Sequence, residues 1–383
     1  MKTARRYASG AFQALTPLVI LVLCMAASTA LSCKNVAEPV RKDASGQSAA
    51  SQKLRGTFLN GMNAAWIKYG RDLTEFDELA FASMLDSIAS AGGNAVRWWI
   101  HVNGSTTPLY DQGTGKVSGM PEVAIVNLER ALDLAYERNM LIIPCLWSFD
   151  MLQDQWGVNR MRNKKLITDS EYTQAYIDQA LTPILEAVGT HPAVFAWEVC
   201  NEPEGMTNEF GWSTDRVSMK EVQAFVNRIA GAVHRFDPSI AVTNGSWSFR
   251  VLTDVDGNIN WYRDDRLTAA GGDPLGTLDF YSVHFYQQHF GDALSPFHNA
   301  ASDWELDKPI VVAEFAAKGI VNLGGANAGF KPSSTLTPEQ AYVRLYQSGY
   351  AGALSWTYSN HDGFGGVSDA AAGIRAVSVL LDD

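Results

Sequence analysis

Two glutamates have the type and setting needed to break one bond between them. Glu202 closes the run Ala196-Trp197-Glu198-Val199-Cys200-Asn201-Glu202-Pro203, and Glu314 closes Val311-Val312-Ala313-Glu314 about 110 residues later. Each stretch reads as an apolar strand that stops on a carboxylate. Pro203 has no N–H to give a ladder, so the first strand cannot continue past Glu202 in register. Glycoside cleavage needs one carboxylic acid to protonate the leaving oxygen, and a second carboxylate to attack or to activate water from the opposite face. Glu202 alone could be a surface carboxylate after a strand. A second glutamate ending a later strand argues against that.

Such a pair works only if the chain brings both strand ends to one place. From residue 54 onward, short apolar runs alternate with helical patterns. The strands expected are Thr57–Asn63, Asn94–Ile100, Leu141–Trp147, Ala193–Asn201, Ile240–Trp247, Leu278–Phe285, Pro309–Phe315 and Gly352–Tyr358. Most are apolar throughout, as strands covered on both faces are. Helix signals fall between them. Thr74 is the expected N-cap of the first helix, Pro121–Asn139 reads as the second, and Ser170–Val188 as a third that Pro183 must kink or split. Ser218-Met219-Lys220-Glu221 is a capping box, and Thr337-Pro338 opens the helix before the last strand. Residues 262–277 are expected to be loop with at most a short helix. Eight strand–helix units predict a single α/β domain, a (β/α)8 (TIM) barrel over residues 54–383.

Active sites of such barrels sit at the C-terminal rim of the strands. The expected rim holds Arg97 and His101 from strand two, Trp147 from strand three, and Asn201 and Glu202 from strand four. It continues with Trp247, then His284 and Tyr286, then Glu314, and finally Trp356. Strands four and seven lie across the mouth from one another, so their carboxylates can converge to roughly 5 Å, the spacing that gives retention. Burial raises the pKa of the acid; Arg97 and the Tyr286 hydroxyl would hold the partner ionised. Glu198 reads as a structural partner inside the barrel. Trp98, Trp99 and Trp197 are expected to pack between strands and helices, and Trp66, Trp147 and Trp247 to offer sugar platforms.

Trp197-Glu198-Val199-Cys200-Asn201-Glu202-Pro203 resembles the acid/base motif of glycoside hydrolase family 5, and Val311-Val312-Ala313-Glu314-Phe315 resembles its nucleophile strand. The likeness runs from about residue 57 to 358. It implies Glu202 as proton donor, Glu314 as nucleophile and Asn201 as a contact to the sugar 2-hydroxyl. It implies that Arg97 supports the nucleophile, that His284 and Tyr286 form the strand-six pair with Tyr286 bonding the nucleophile, and that Trp356 underlies the sugar. Many members carry a His at the end of strand three, where this chain has Trp147-Ser148; mannan-cleaving members often carry an aromatic there. His101 has no clear counterpart and is expected to line a subsite.

Other chemistries lack their groups. There is no His-Glu-x-x-His, no Gly-x-Ser-x-Gly elbow and no phosphate-cradling Gly-rich loop, so neither a metal nor another cofactor is expected. With 46% apolar residues the chain can bury a large core. Residues 1–32 read as a signal peptide, with Lys2, Arg5 and Arg6 before an apolar stretch. Ala30-Leu31-Ser32-Cys33 resembles a bacterial lipoprotein box, which implies lipidation of Cys33 and a tether over 33–53. The expected location is the outer membrane or cell surface. Cleavage by ordinary signal peptidase would make the protein secreted or periplasmic. The remainder holds 27 basic and 41 acidic residues, a net −14. That charge disfavours nucleic acid and suits a neutral β-linked polysaccharide, with membrane contact only through the lipid. Cys145 and Cys200 lie on neighbouring strands, where a disulfide and two buried thiols are both open.

The sequence therefore predicts a retaining glycoside hydrolase, with β-1,4-mannan favoured as substrate for an endo enzyme. A β-glucanase or an exo-acting β-glycosidase is the nearest alternative. A non-catalytic glycan-binding lipoprotein is the alternative of another class. It would keep the rim aromatics without needing both carboxylates.

Overall fold

The computed structural model describes residues 56–286, 292–318 and 336–382. Eight strands close into one barrel: β1 (Leu59–Asn63), β2 (Ala95–Val102), β3 (Leu141–Ser148), β4 (Ala196–Asn201), β5 (Ala241–Ser246), β6 (Tyr281–Phe285), β7 (Ile310–Phe315) and β8 (Gly352–Ser355). Neighbours around the barrel are neighbours in sequence, all pairs are parallel, and β8 closes on β1. The (β/α)8 expectation is met strand for strand. Cys33, the signal segment and the tether lie outside the described residues.

The helices show how local chemistry sets boundaries. Asp77, and not Thr74, caps α1 (Glu78–Ser90): its carboxylate accepts the Ala80 N–H at 3.1 Å. An Asp is at least as good a cap as Thr and adds charge at the positive helix end. The second helix, α2, spans Glu122–Tyr136. After α3 (Arg160–Thr168), the segment carrying Pro183 divides into α4 (Ser170–Tyr176), a π turn over Ile177–Leu181 and α5 (Thr182–Val188). Proline has no N–H, and it falls in the first turn of α5, where none is required. Ser218 and Glu221 form the expected capping box at the head of α6 (Met219–Phe236). Residues 262–277 hold a short helix, α7 (Asp264–Gly271). Between β6 and β7 the described residues form only 3-10 turns, Asp292–Leu294 and Ala301–Trp304. Thr337 caps α8 (Pro338–Gln347), and α9 (Val367–Asp382) follows β8.

Inside the barrel, Leu59, Ala95, Ile143, Ala196, Val311 and Leu354 make an apolar floor. Above it sits Arg97, fully buried. On β2 the inward residues run Ala95, Arg97, Trp99 in steps of two, as a pleated strand requires. At the rim that period breaks. Glu198 and Asn201 of β4 face Thr243 and Gly245 of β5, three steps against two. Val312 and Glu314 of β7 face Val283 and His284 of β6, two steps against one. Strand β2 takes an extra residue between Trp99 and Val102. Bulges of this kind re-aim side chains next to active sites.

Candidate active site

The two glutamates meet at the barrel mouth. One carboxylate oxygen of each, together with a ring nitrogen of His284, lies within 4.8 Å of the others. That falls at the short separation of retaining glycosidases and leaves no room for the water an inverting site must hold between its acids. Glu202 has left-handed backbone angles, φ 44 and ψ 50. This conformation is rare outside glycine and is found where function over-determines it. It ends β4, hands the chain to Pro203, and lets the Glu202 N–H donate to Gly245 O at 2.6 Å.

Arg97 organises the floor beneath them. Its guanidinium donates to Glu198 through Nε (2.9 Å) and Nη2 (2.5 Å), to Glu314 Oε1 through Nη1 (2.6 Å), to Asn63 Oδ1 (2.9 Å) and to Asn201 Oδ1 (2.8 Å). Arg97 is thus both a core ion pair, with Glu198, and a support for Glu314. The close approach needs a bare backbone on β5: a Cβ on Gly245 would lie 2.4 Å from Glu198 Oε1. The Tyr286 hydroxyl donates to the other oxygen of Glu314 at 2.9 Å. His284 Nδ1 stands 2.8 Å from Glu202 Oε1 and 3.6 Å from Glu314 Oε2.

These surroundings split the two carboxyls. Burial pushes Glu202 up to about 7, partly offset by Arg97 and reinforced by Asp150 and Glu198. Burial also raises Glu314, and the Arg97 charge and the Tyr286 hydrogen bond offset part of that rise. Burial drives His284 down to about 4, so its ring is neutral. The glutamate held by two donors, one of them a guanidinium, is the one suited to stay ionised and attack. The one desolvated with a single hydrogen-bond partner is suited to carry a proton. Glu202, His284 and Glu314 include metal-ligand types, yet Arg97 already places a full positive charge on Glu314.

The cleft around them measures about 560 Å³. Trp356, Trp66 and Trp99 line it from β8, β1 and β2, with ring centroids 5.3–5.9 Å apart. Trp212, Trp247 and Phe149 line it from the ends of β4, β5 and β3. Asn201, Tyr69, Asp150, Gln155, Tyr286 and Asp362 complete the wall. Asp362 accepts the Trp356 indole N–H at 2.5 Å.

Two expected site residues are elsewhere. His101 is fully buried between Thr107 (2.9 Å) and Tyr176 (3.1 Å), and burial pushes its pKa down to about 3. The extra residue in β2 after Trp99 turns it away from the mouth. Trp147 is also fully buried, its ring 4.8 Å from His101 and 5.3 Å from Tyr176. Cys145 faces Arg97 and Ser148 meets Asn201, so inward positions on β3 are three apart there and Trp147 turns into the outer core. It is no sugar platform, and it cannot argue for mannan. In the other direction, Trp99 lines the cleft instead of packing outside the barrel; counting by two from Arg97 would have found it. Trp98 and Trp197 do pack in the outer core. Asp150, Tyr69 and Phe149 gave no sequence signal beyond standing after a strand. Cys145 and Cys200 are buried free thiols.

A (β/α)8 barrel with two close glutamates of opposed character at its mouth defines a retaining glycosidase. The family pattern described as cellulase (glycosyl hydrolase family 5) matches residues 47–362, and the chain belongs to that family. It is 35% identical over 329 residues to a mannan endo-1,4-beta-mannosidase of Mytilus edulis, covering 80% of this chain and 84% of that one. It is 32% identical to the enzyme of the same name from Cryptopygus antarcticus, over 79% and 81% of the two chains. Among solved structures, the endo-1,4-beta-mannanase of Eisenia fetida superposes with TM-score 0.74 at 32% identity, covering 84% of this chain and 91% of that one.

Proposed function

We propose that this glycoside hydrolase cleaves β-1,4-mannan internally by double displacement. Glu314 attacks the anomeric carbon while Glu202 gives its proton to the departing sugar oxygen. Water, deprotonated by Glu202, then hydrolyses the glycosyl–Glu314 ester. Support for the mannan specificity comes from the relatives, two of them mannan endo-1,4-beta-mannosidases at 32–35% identity over about four fifths of the chain. The single observation behind the chemistry is the approach of Glu202 and Glu314 to within 4.8 Å. Incubation with mannan, glucomannan, carboxymethyl cellulose and laminarin tests the specificity. Short manno-oligosaccharides released early from mannan are expected; release from laminarin or cellulose alone refutes it.

We also infer export and anchoring through a lipid on Cys33, supported by the basic start, the apolar stretch and the Ala30-Leu31-Ser32-Cys33 box. Intact mass and fractionation test it. The expected product begins at a diacylated Cys33 and pellets with membranes; Cys33→Ala should release it.

A further inference from the structure

The cleft holds a third carboxylate that the two-glutamate mechanism does not use. Asp150 stands just beyond β3, is nine-tenths buried, and lines the cleft beside Asn201 and Gln155. A buried acid without cationic help needs donors, and Asp150 has one on each oxygen. The Ser148 hydroxyl donates to Oδ2 at 2.9 Å, and the Gln155 amide donates to Oδ1 at 3.1 Å. The same side chains link outward and inward. Tyr69 OH donates to Gln155 Oε1 at 3.0 Å, and Asn201 Nδ2 donates to Ser148 Oγ at 3.4 Å. One chain of hydrogen bonds therefore runs along the cleft wall from Tyr69 at the rim to Asn201, the residue before the acid. It fixes the orientation of Asp150 before substrate arrives.

A carboxylate accepts about four hydrogen bonds, two on each oxygen. The Tyr69 hydroxyl also lies close enough to Asp150 to favour its charged form, so beside the Ser148, Gln155 and Tyr69 donors at least one acceptor site remains, in a wall that faces the cleft. A neutral ligand that can supply an O–H donor to that site is a sugar, through one of its ring hydroxyls. We propose that Asp150, held by Ser148 and Gln155, is a substrate-binding residue that accepts a hydrogen bond from a hydroxyl of a sugar unit in the cleft.

The assignment has a second consequence that mere structural support lacks. The charged and titratable groups around Glu202 are Arg97 from β2, Asp150 from the end of β3, Glu198 on its own strand, Glu204 just after it, His284 from β6, Tyr286 just after β6, and Glu314 from β7. Asp150 is the negative group among them that lies in the cleft wall outside the catalytic pair. Removing its charge favours ionisation of Glu202, so the acid loses its proton at lower pH.

The inference rests on the mannanase reading, and the experiment separates the two. Affinity for mannohexaose and for cellohexaose is measured by calorimetry on Glu202→Gln protein and on the Glu202→Gln/Asp150→Asn double variant. Steady-state kinetics on mannohexaose are then run across pH on wild type, Asp150→Asn and Asp150→Ala. Asp150→Asn preserves shape and keeps an oxygen for Gln155. We expect mannohexaose affinity to fall, and KM to rise, roughly ten- to a hundredfold, what a hydrogen bond to a charged acceptor contributes. kcat should change far less, and the basic limb of kcat/KM should move to lower pH in Asp150→Asn. Parent protein that binds cellohexaose but not mannohexaose refutes the mannan reading. Parent binding left intact in the double variant, with KM and the basic limb unmoved, overturns the role of Asp150.

Discussion

Glu202 and Glu314 are the same residue at the same rim, and their surroundings make them different reagents. Glu314 takes hydrogen bonds from Arg97 at 2.6 Å and Tyr286 at 2.9 Å, one on each oxygen. Among the described residues the Glu202 carboxyl has one hydrogen-bond partner, His284, which burial keeps neutral. Both are raised by desolvation, and at Glu314 a guanidinium and a phenol bonded to the carboxylate offset part of it. The lesson is that role assignment here is a matter of donors rather than exposure. A carboxylate ringed by charged and phenolic donors stays an anion, and one buried with a neutral imidazole carries the proton.

The comparison is broken most severely at Glu314. Glu314→Ala should lose at least about ten-thousandfold in kcat, the scale of removing a nucleophile. Added azide should restore part of the turnover and give a glycosyl azide of inverted configuration; full activity without azide would remove Glu314 from the chemistry. Glu202→Ala should lose about a hundred- to ten-thousandfold on mannan, the scale of general acid catalysis. Its loss should shrink on an aryl mannoside whose leaving group needs no proton; an equal loss on both substrates contradicts the acid role.

Tyr286→Phe removes one donor from Glu314 and none from Glu202. We expect about a ten- to hundredfold fall in kcat, the worth of one hydrogen bond to a charged group. The sign on pH follows from which form the hydroxyl stabilises. Tyr286 favours the ionised Glu314, so its loss raises that pKa and moves the acid limb of kcat/KM to higher pH. A shift of the basic limb instead would assign the hydroxyl to the wrong glutamate. The gentlest probe is the wild-type profile. With the Glu202 pKa raised to about 7, activity should fall as pH rises through that value, because the acid then lacks its proton.

Much of this was legible in the chain, for identifiable reasons. Apolar strand runs separated by capped helices define the barrel, because strands covered on both faces cannot alternate. Strand ends then place Glu202, Asn201, Tyr286, Glu314 and Trp356 at one rim. What failed did so at the bulges. A period of two extrapolated along β2 brings His101 to the rim, and the extra residue after Trp99 turns it away. The same period along β3 brings Trp147 to the mouth, where the inward residues are instead Cys145 and Ser148, three apart. Trp99 differs for the opposite reason: the period of two holds from Arg97, and it brings Trp99 into the cleft. Asp150 lies in a single 3-10 turn (Phe149–Leu152) and Gln155 in the loop after it, too short a stretch for periodicity to say which way a side chain turns.

The most direct test of the split between the two glutamates is to trap the intermediate. The protein is incubated with a 2-deoxy-2-fluoro-mannobiosyl fluoride, digested, and mapped by mass spectrometry. The account predicts one glycosyl group, on the peptide carrying Glu314 and on that side chain. A label on Glu202, or fluoride release with no covalent adduct at any time point, would contradict it.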